Sequence, residues 1–256
     1  MRSPRWNKLL GAFVAVPALM FGSVLPGSGA ESRWRLDIET GGAFSGYNDV
    51  GIPGDTGTRF SLSDDFQTKV GVFVRVRLTW RIAARHSLSV LYAPLKLKAS
   101  GPAPFPISFF GAEFPAGVAV RGTYIFNSYR LSYRYELVNT EKWRFGFGFT
   151  AKIRDAAIGL EGGGLSAKKT NVGFVPLLNA RVERMFSPKF SLLLDVDALA
   201  APQGRAEDVL LAVLYRISPS LTLKAGYRFV EGGADNDEVY NFTLIHYASI
   251  GLLIDF

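Results

Sequence analysis

The sequence predicts an all-β fold, a single antiparallel transmembrane barrel of about ten strands. Three observations predict it: apolar residues recur with a period of two along most of the chain, connections alternate between tight turns and longer stretches, and the first thirty residues read as an export signal. Val70, Val72, Val74, Val76, Leu78, Trp80 and Ile82 alternate with Lys69, Gly71, Phe73, Arg75, Arg77, Thr79 and Arg81. A helix would scatter those arginines around its surface, whereas a strand sends them all to one side. Seven apolar positions in step span roughly 40 Å, more than a small soluble sheet requires.

The export segment comes first. Arg2, Arg5 and Lys8 precede an apolar run from Leu9 to Leu25, interrupted by Pro17, and Ser28-Gly29-Ala30 supplies the small residues a signal peptidase reads. Cleavage there leaves residues 31–256 as the barrel domain. It also lowers the net charge: the formal +7 becomes +4 once those three bases go, leaving 26 basic against 22 acidic residues. What remains is spread along the alternation and forms no basic patch, so no nucleic-acid partner is expected. The absence of cysteine excludes a disulfide scaffold, a thiolate metal site and a cysteine nucleophile.

Alternation places strands near 32–44, 67–83, 87–99, 117–138, 142–156, 171–186, 190–201, 207–217, 220–231 and 239–256. Trp34, Leu36 and Ile38 alternate with Arg35, Asp37 and Glu39 in the first. Tyr129 to Leu137 and Trp143 to Phe149 do the same in the fourth and fifth, and Leu221 to Phe229 in the ninth. Parity slips between Phe126 and Tyr129, for which a β-bulge is the simplest account, and counts of eight or twelve strands stay open. Turn-forming residues at Ala83–His86, Asn139–Glu141, Ser187–Lys189 and Ser218–Ser220 make one end short. Longer connections at 45–66, 100–116, 157–170, 202–206 and 231–238 form the other, as in outer-membrane barrels with periplasmic turns and extracellular loops.

The last stretch, with Ala248, Ile250, Leu252, Ile254 and terminal Phe256 on one face, resembles the C-terminal signature of bacterial outer-membrane β-barrel proteins. That resemblance spans Glu31 to Phe256. It implies the cell outer membrane of a Gram-negative envelope, contact with the lipid bilayer and lipopolysaccharide, and reading of Phe256 as an assembly signal by the barrel-assembly machinery. Gly46 to Val50, Ala201 to Arg205 and Glu231 to Glu238 further resemble segments of an uncharacterised family of small barrels, which brings no activity with it.

Lumen parity collects Asp37, Glu39, Arg75, Arg77, Arg130, Arg134, Glu136, Lys152, Arg154, Arg181, Glu183, Asp195, Asp197, Arg216, Lys224 and Arg228. Charges sharing a narrow interior are expected to pair into a network that pins register. The alternative is a porin-like wall, rich in arginine, around a narrow passive pore for small anionic solutes.

Other chemistry finds little purchase. His86 falls in a turn, and His246 shares parity with lipid-facing residues, opposite to Ser249, so a lipid-modifying hydrolase lacks its catalytic pair. Paired aspartates at Asp64-Asp65 and Asp235 to Asp237 have no histidine placed to make an omptin-like protease. Asp235, Asp237 and Glu238 are weak calcium candidates, set against pairing with Arg205 and Arg59. Phe105, Phe109, Phe110 and Phe114, among four prolines, make a stiff loop able to fold over the mouth, enter the outer leaflet or meet a partner. The expectation is a non-enzymatic outer-membrane protein, structural or binding through its loops, without cofactor. Oligomeric state is not encoded in any of these features.

Overall fold

The computed structural model describes residues 32–202 and 204–256, so the expected export segment lies outside the described residues. Ten long strands follow in chain order: β1 (Trp34–Gly51), β2 (Gly71–Ala83), β3 (His86–Ala93, resumed at Lys96–Pro102), β4 (Ala119–Asn139), β5 (Trp143–Gly162), β6 (Leu165–Met185), β7 (Phe190–Ala201), β8 (Gly204–Ser218), β9 (Leu221–Asn236) and β10 (Val239–Asp255). Each pairs antiparallel with its chain neighbour, and β10 returns to β1 with Arg35 opposite Asp255 and Gly51 opposite Tyr240. The result is a closed ten-stranded antiparallel barrel without helix among the described residues.

Burial along each strand runs opposite to that of a soluble sheet. On β4, Tyr129, Leu131 and Tyr133 are exposed while Ser128, Arg130 and Ser132 are buried. Apolar side chains face outward because the surrounding medium is hydrocarbon, and polar ones turn inward. Aromatic residues mark two levels on the outer face. Trp34 stacks on Trp80 at 5.6 Å and Phe190 meets Tyr215 at 4.8 Å near the short turns. Tyr92 stacks on Tyr129 and Phe44 meets His246 at the far level. Ten positions of β1 separate Trp34 from Phe44, and ten of β5 separate Trp143 from Ile153, which lies opposite Tyr129. A tilted strand covers the apolar belt of a bilayer in about that many residues.

Three expected loops are in fact strand. Residues 157–170 form the tip of the β5–β6 hairpin, closed by Gly163-Gly164 at φ +58° and +80°. Both residues of such a two-residue turn need positive φ, which glycine adopts without steric cost. Most of 202–206 and 231–238 likewise continues the ladders of β8 and β9. The period of two persists past the membrane with a polar outer face, so a fall in hydrophobicity there did not mean an end to pairing. The bulge expected near 126–129 is absent. Even-numbered residues of β4 face inward from Val120 to Arg134, and the β4–β5 register shifts near Leu137, at Phe145/Gly146. Tyr124 and Phe126 misled because they are aromatic residues lining the lumen, where lipid-facing ones were expected.

The two genuinely long connections, 52–70 and 103–118, fold back into the extracellular mouth. Phe60, Leu62, Phe66, Ile107, Phe109 and Phe114 bury themselves against Ala43, Phe73, Val120, Tyr124 and Tyr247 of the wall. The loops also hold one another: Thr58 N–H donates to Ser108 O at 2.9 Å and Phe110 N–H to Ile52 O at 2.9 Å. Of the four loop phenylalanines, Phe109 and Phe114 enter this plug, whereas Phe105 and Phe110 stay exposed.

The belt assignment makes a prediction for stability. Leu131→Arg, on the outer face of β4, should cost about 2–4 kcal/mol in urea unfolding from liposomes. Ser166→Arg beside the β5–β6 turn should stay within about 0.5 kcal/mol. Equal costs at the two positions would contradict the placement of the belt.

Candidate functional site

The inward faces of β1, β2, β4 and β6 to β9 converge on two carboxylate hubs. Asp208 of β8 receives Arg75 at 2.8 Å, Arg130 at 2.6 Å and Arg228. Asp195 of β7 receives Arg77 at 2.8 Å, Arg134 at 3.0 Å and Arg181 at 3.5 Å. Asp197 links the hubs, accepting from Arg130 at 2.7 Å, Asn179 at 2.7 Å and Thr150 at 2.8 Å. Glu39 takes two guanidinium nitrogens of Arg228 at 2.9 Å each and Lys224 Nζ at 2.9 Å, and Lys224 also reaches Asp37 at 2.5 Å. Arg75, Arg130, Asp197, Asp208, Lys224, Arg228 and Glu39 are each no more than 5% exposed. A layer of paired charge thus crosses the lumen and ties β2 to β8 on the opposite wall.

Five of the charges expected in this network sit elsewhere: Lys152 and Arg154 have no carboxylate in salt-bridge range among the described residues and line a cavity from β5, and three others lie towards the periplasmic end. Glu183 is buried nearer the periplasmic end and accepts from Ser191 Oγ at 2.7 Å. Glu136 lines the periplasmic mouth with Arg35, Arg144 and Asp255, and Arg216 is exposed at the same end. Conversely, Asp208 was missed although three arginines meet on it. Its face of β8, which Arg216 had marked as lumen, continues as Leu210, Ala212 and Leu214, a buried apolar cluster with Leu193 and Leu253, and on a strand apolar on both sides the single acid was passed over. A lone acid in step with an apolar face on a strand apolar on both sides was the available signal.

The weak metal candidates do not converge. Asp235 lies 4.0 Å from Arg59, Glu238 pairs with Lys169 at 3.2 Å, and among the described residues no group of three His, Asp or Glu could hold a metal ion. Arg205 pairs with Glu231 at 2.8 Å. His86 meets the hydroxyl of Tyr133 at 2.7 Å, and His246 that of Tyr227 on the outer face. Ser249 is buried on the lumen side with its Oγ unpartnered, so it and His246 occupy opposite faces of β10. Phe256 exchanges backbone hydrogen bonds with Trp34 at 2.9 and 3.0 Å, completing the β1–β10 seam.

Above the charge layer, among the described residues, lies a cavity of about 770 Å³. Its origin is a mismatch in strand length. The β6–β7 ladder ends at Leu178 opposite Ala198, yet β6 continues to Leu165, paired along 165–177 with β5 alone. The wall therefore has a notch, flanked by Phe174, Val175 and Pro176 on one side and Leu199, Ala201 and Ala206 on the other. Pro176 is at home there, since a residue without an N–H is tolerated on a strand edge. It was the one sequence signal for the notch.

No protein-family model and no curated sequence matches the chain. Solved structures do. OmpT, an outer membrane protease from Escherichia coli, is 11% identical, with a TM-score of 0.58 covering 88% of this chain and 97% of that one. Neisserial surface protein A is 15% identical with a TM-score of 0.36, covering 89% and 100%. Ail, the attachment invasion locus protein of Yersinia pestis, is 10% identical with a TM-score of 0.37, covering 88% and 100%. The OmpT likeness carries the fold and nothing further. Together with the outward apolar belt and its aromatic borders, it makes the chain an outer-membrane β-barrel.

Removing the central acceptor should expose the hub's importance. Asp208→Ala leaves three guanidinium groups short of one partner and should cost about 3–5 kcal/mol. Arg216→Ala, exposed at the end, should stay within about 0.5 kcal/mol. Denaturant titration of the refolded barrel measures both, and similar values would contradict the hub.

Proposed function

We propose that the protein is a non-enzymatic binding module of the outer membrane, its lumen closed to solutes and its recognition surface at the extracellular end. The observation carrying this reading is the division of the interior: paired charge and an aromatic plug fill the lumen, while the cavity above the charge layer stays open. A narrow anion pore needs a continuous wet path and arginines free to meet the solute. Here Arg75 and Arg77 are already held by Asp208 and Asp195. A hydrolase would need a nucleophile beside a base, and His246 faces away from Ser249. OmpT's protease activity belongs to OmpT, and at this identity the fold alone is shared. On the same reading, lipopolysaccharide surrounds the outer belt and Phe256 is the residue offered to the barrel-assembly machinery.

Planar bilayers test the reading. Refolded barrel whose insertion is verified by heat-modifiable gel mobility should give no discrete conductance steps. Steps that vanish on Arg75→Ala and Arg77→Ala replacement would establish the pore instead. Release of fatty acid from lipopolysaccharide, lost in His246→Ala, would reinstate the hydrolase.

A further inference from the structure

The cavity at the notch has the shape and chemistry of a site rather than of a packing defect. Its size lies within the roughly 300–1,000 Å³ of small-molecule pockets, and its lining is chiefly apolar: Tyr124, Phe126, Ile158, Val175, Leu199 and Val230. Two cations line it from β5. Lys152 is 3% exposed, and its ammonium lies 4.7 Å from the centre of the Phe126 ring, with no carboxylate in salt-bridge range among the described residues. Arg154 holds Asn171 with one nitrogen, while its Nε is buried without a partner. The other charges along the lining answer one another: Arg205 with Glu231, and Lys169 with Glu238. Asp237 remains at the outer turn between β9 and β10.

A buried ammonium facing a ring and an unpartnered guanidinium nitrogen are costly in a pocket lined chiefly by apolar side chains. The same pair is fitted to an anion delivered with its own apolar body. The notch specifies the route. Phe174, on the unpaired edge of β6, lies opposite Ile153 at the far aromatic level. The opening thus meets the outer leaflet sideways. Above it, the Lys169–Glu238 pair joins β6 to the β9–β10 turn and narrows the way from bulk water.

We propose that the notch between β6 and β7 admits a single-chain carboxylate amphiphile, a long-chain fatty acid, laterally from the outer leaflet, its chain lying in the apolar cavity and its carboxylate held by Lys152 and Arg154. The proposal rests on the binding reading above and names its ligand. A fatty acid fits better than a two-chain phospholipid because a cavity of about 770 Å³ has room for one long acyl chain and not for a whole two-chain lipid. The step is binding alone, with no bond made or broken.

The test uses refolded full-length barrel in phosphatidylcholine liposomes, with cis-parinaric acid as the fluorescent probe and protein-free liposomes as the partition control. Palmitate should displace the probe, whereas methyl palmitate, with the chain but no charge, and acetate, with the charge but no chain, should not. Lys152→Met should weaken palmitate by about tenfold, the loss of one charge-assisted contact, and Lys152→Arg should restore it. Val175→Trp, which fills the cavity from β6, should abolish displacement while heat-modifiable mobility persists. Displacement by methyl palmitate equal to palmitate, or unchanged affinity in Lys152→Met, would overturn the carboxylate assignment. Equal displacement by acetate would overturn the amphiphile. No displacement by any of the three from a folded barrel would overturn the proposal, yet silent bilayers would still support a closed binding barrel. Conductance steps would instead overturn that underlying reading.

Discussion

A strand inside a bilayer has nowhere to leave a backbone amide unpaired, and the closure of β1 on β10 is how this chain meets that demand. The rest follows from closure. A closed sheet has two faces and a side-chain period of two, so lipid outside obliges every second residue to be apolar. The remaining residues are confined to a lumen too narrow for ten strands' worth of solvated charge. Those charges must pair, and they do so across the barrel: Arg75 from β2 reaches Asp208 on β8, and Arg77 from β2 reaches Asp195 on β7. Buried ion pairs are weak evidence of net stability. Their value here is geometric, because each pair is satisfied in one register.

Against this background the β6–β7 break is informative. Unpaired backbone is tolerated at membrane depth where it lines a cavity or is buried in protein, and Lys169, Asn171 and Phe174 to Pro176 border the cavity of about 770 Å³. The break begins above Leu178, towards the outer leaflet, while the ladder below it, from Leu178 to Met185, is complete. The barrel is therefore sealed where its charge layer lies and open where an apolar ligand could approach. Arginines on the lumen wall need not mean conduction. Arg75, Arg77 and Arg130 are spent on Asp208, Asp195 and Asp197, whereas Lys152 and Arg154, with no carboxylate in salt-bridge range among the described residues, both line the cavity.

Much of this was legible in the sequence, for a physical reason. Lipid enforces parity more strictly than a protein core does, so Val70 to Ile82 announced both their strand and their solvent. Parity failed where the lumen is apolar. Tyr124 and Phe126 looked like lipid-facing residues, and Leu210 to Leu214 concealed Asp208. Strand ends failed too: in 157–170 the composition turned polar while the hydrogen-bond ladder continued to Gly163-Gly164. The cavity could not be read at all from parity, because it arises from unequal lengths of neighbouring strands. Pro176 alone marked the edge.

The central claim is that one seam of the wall is open above Leu178 while the β1–β10 seam is closed. Hydrogen exchange of the refolded barrel in phospholipid nanodiscs, followed by mass spectrometry, measures this directly. Residues 165–177 of β6 should exchange faster than 178–185 of the same strand, with β1 and β10 protected throughout their belt. Uniform protection from 165 to 185, at the level of the β1–β10 seam, would contradict the open notch and the function built on it.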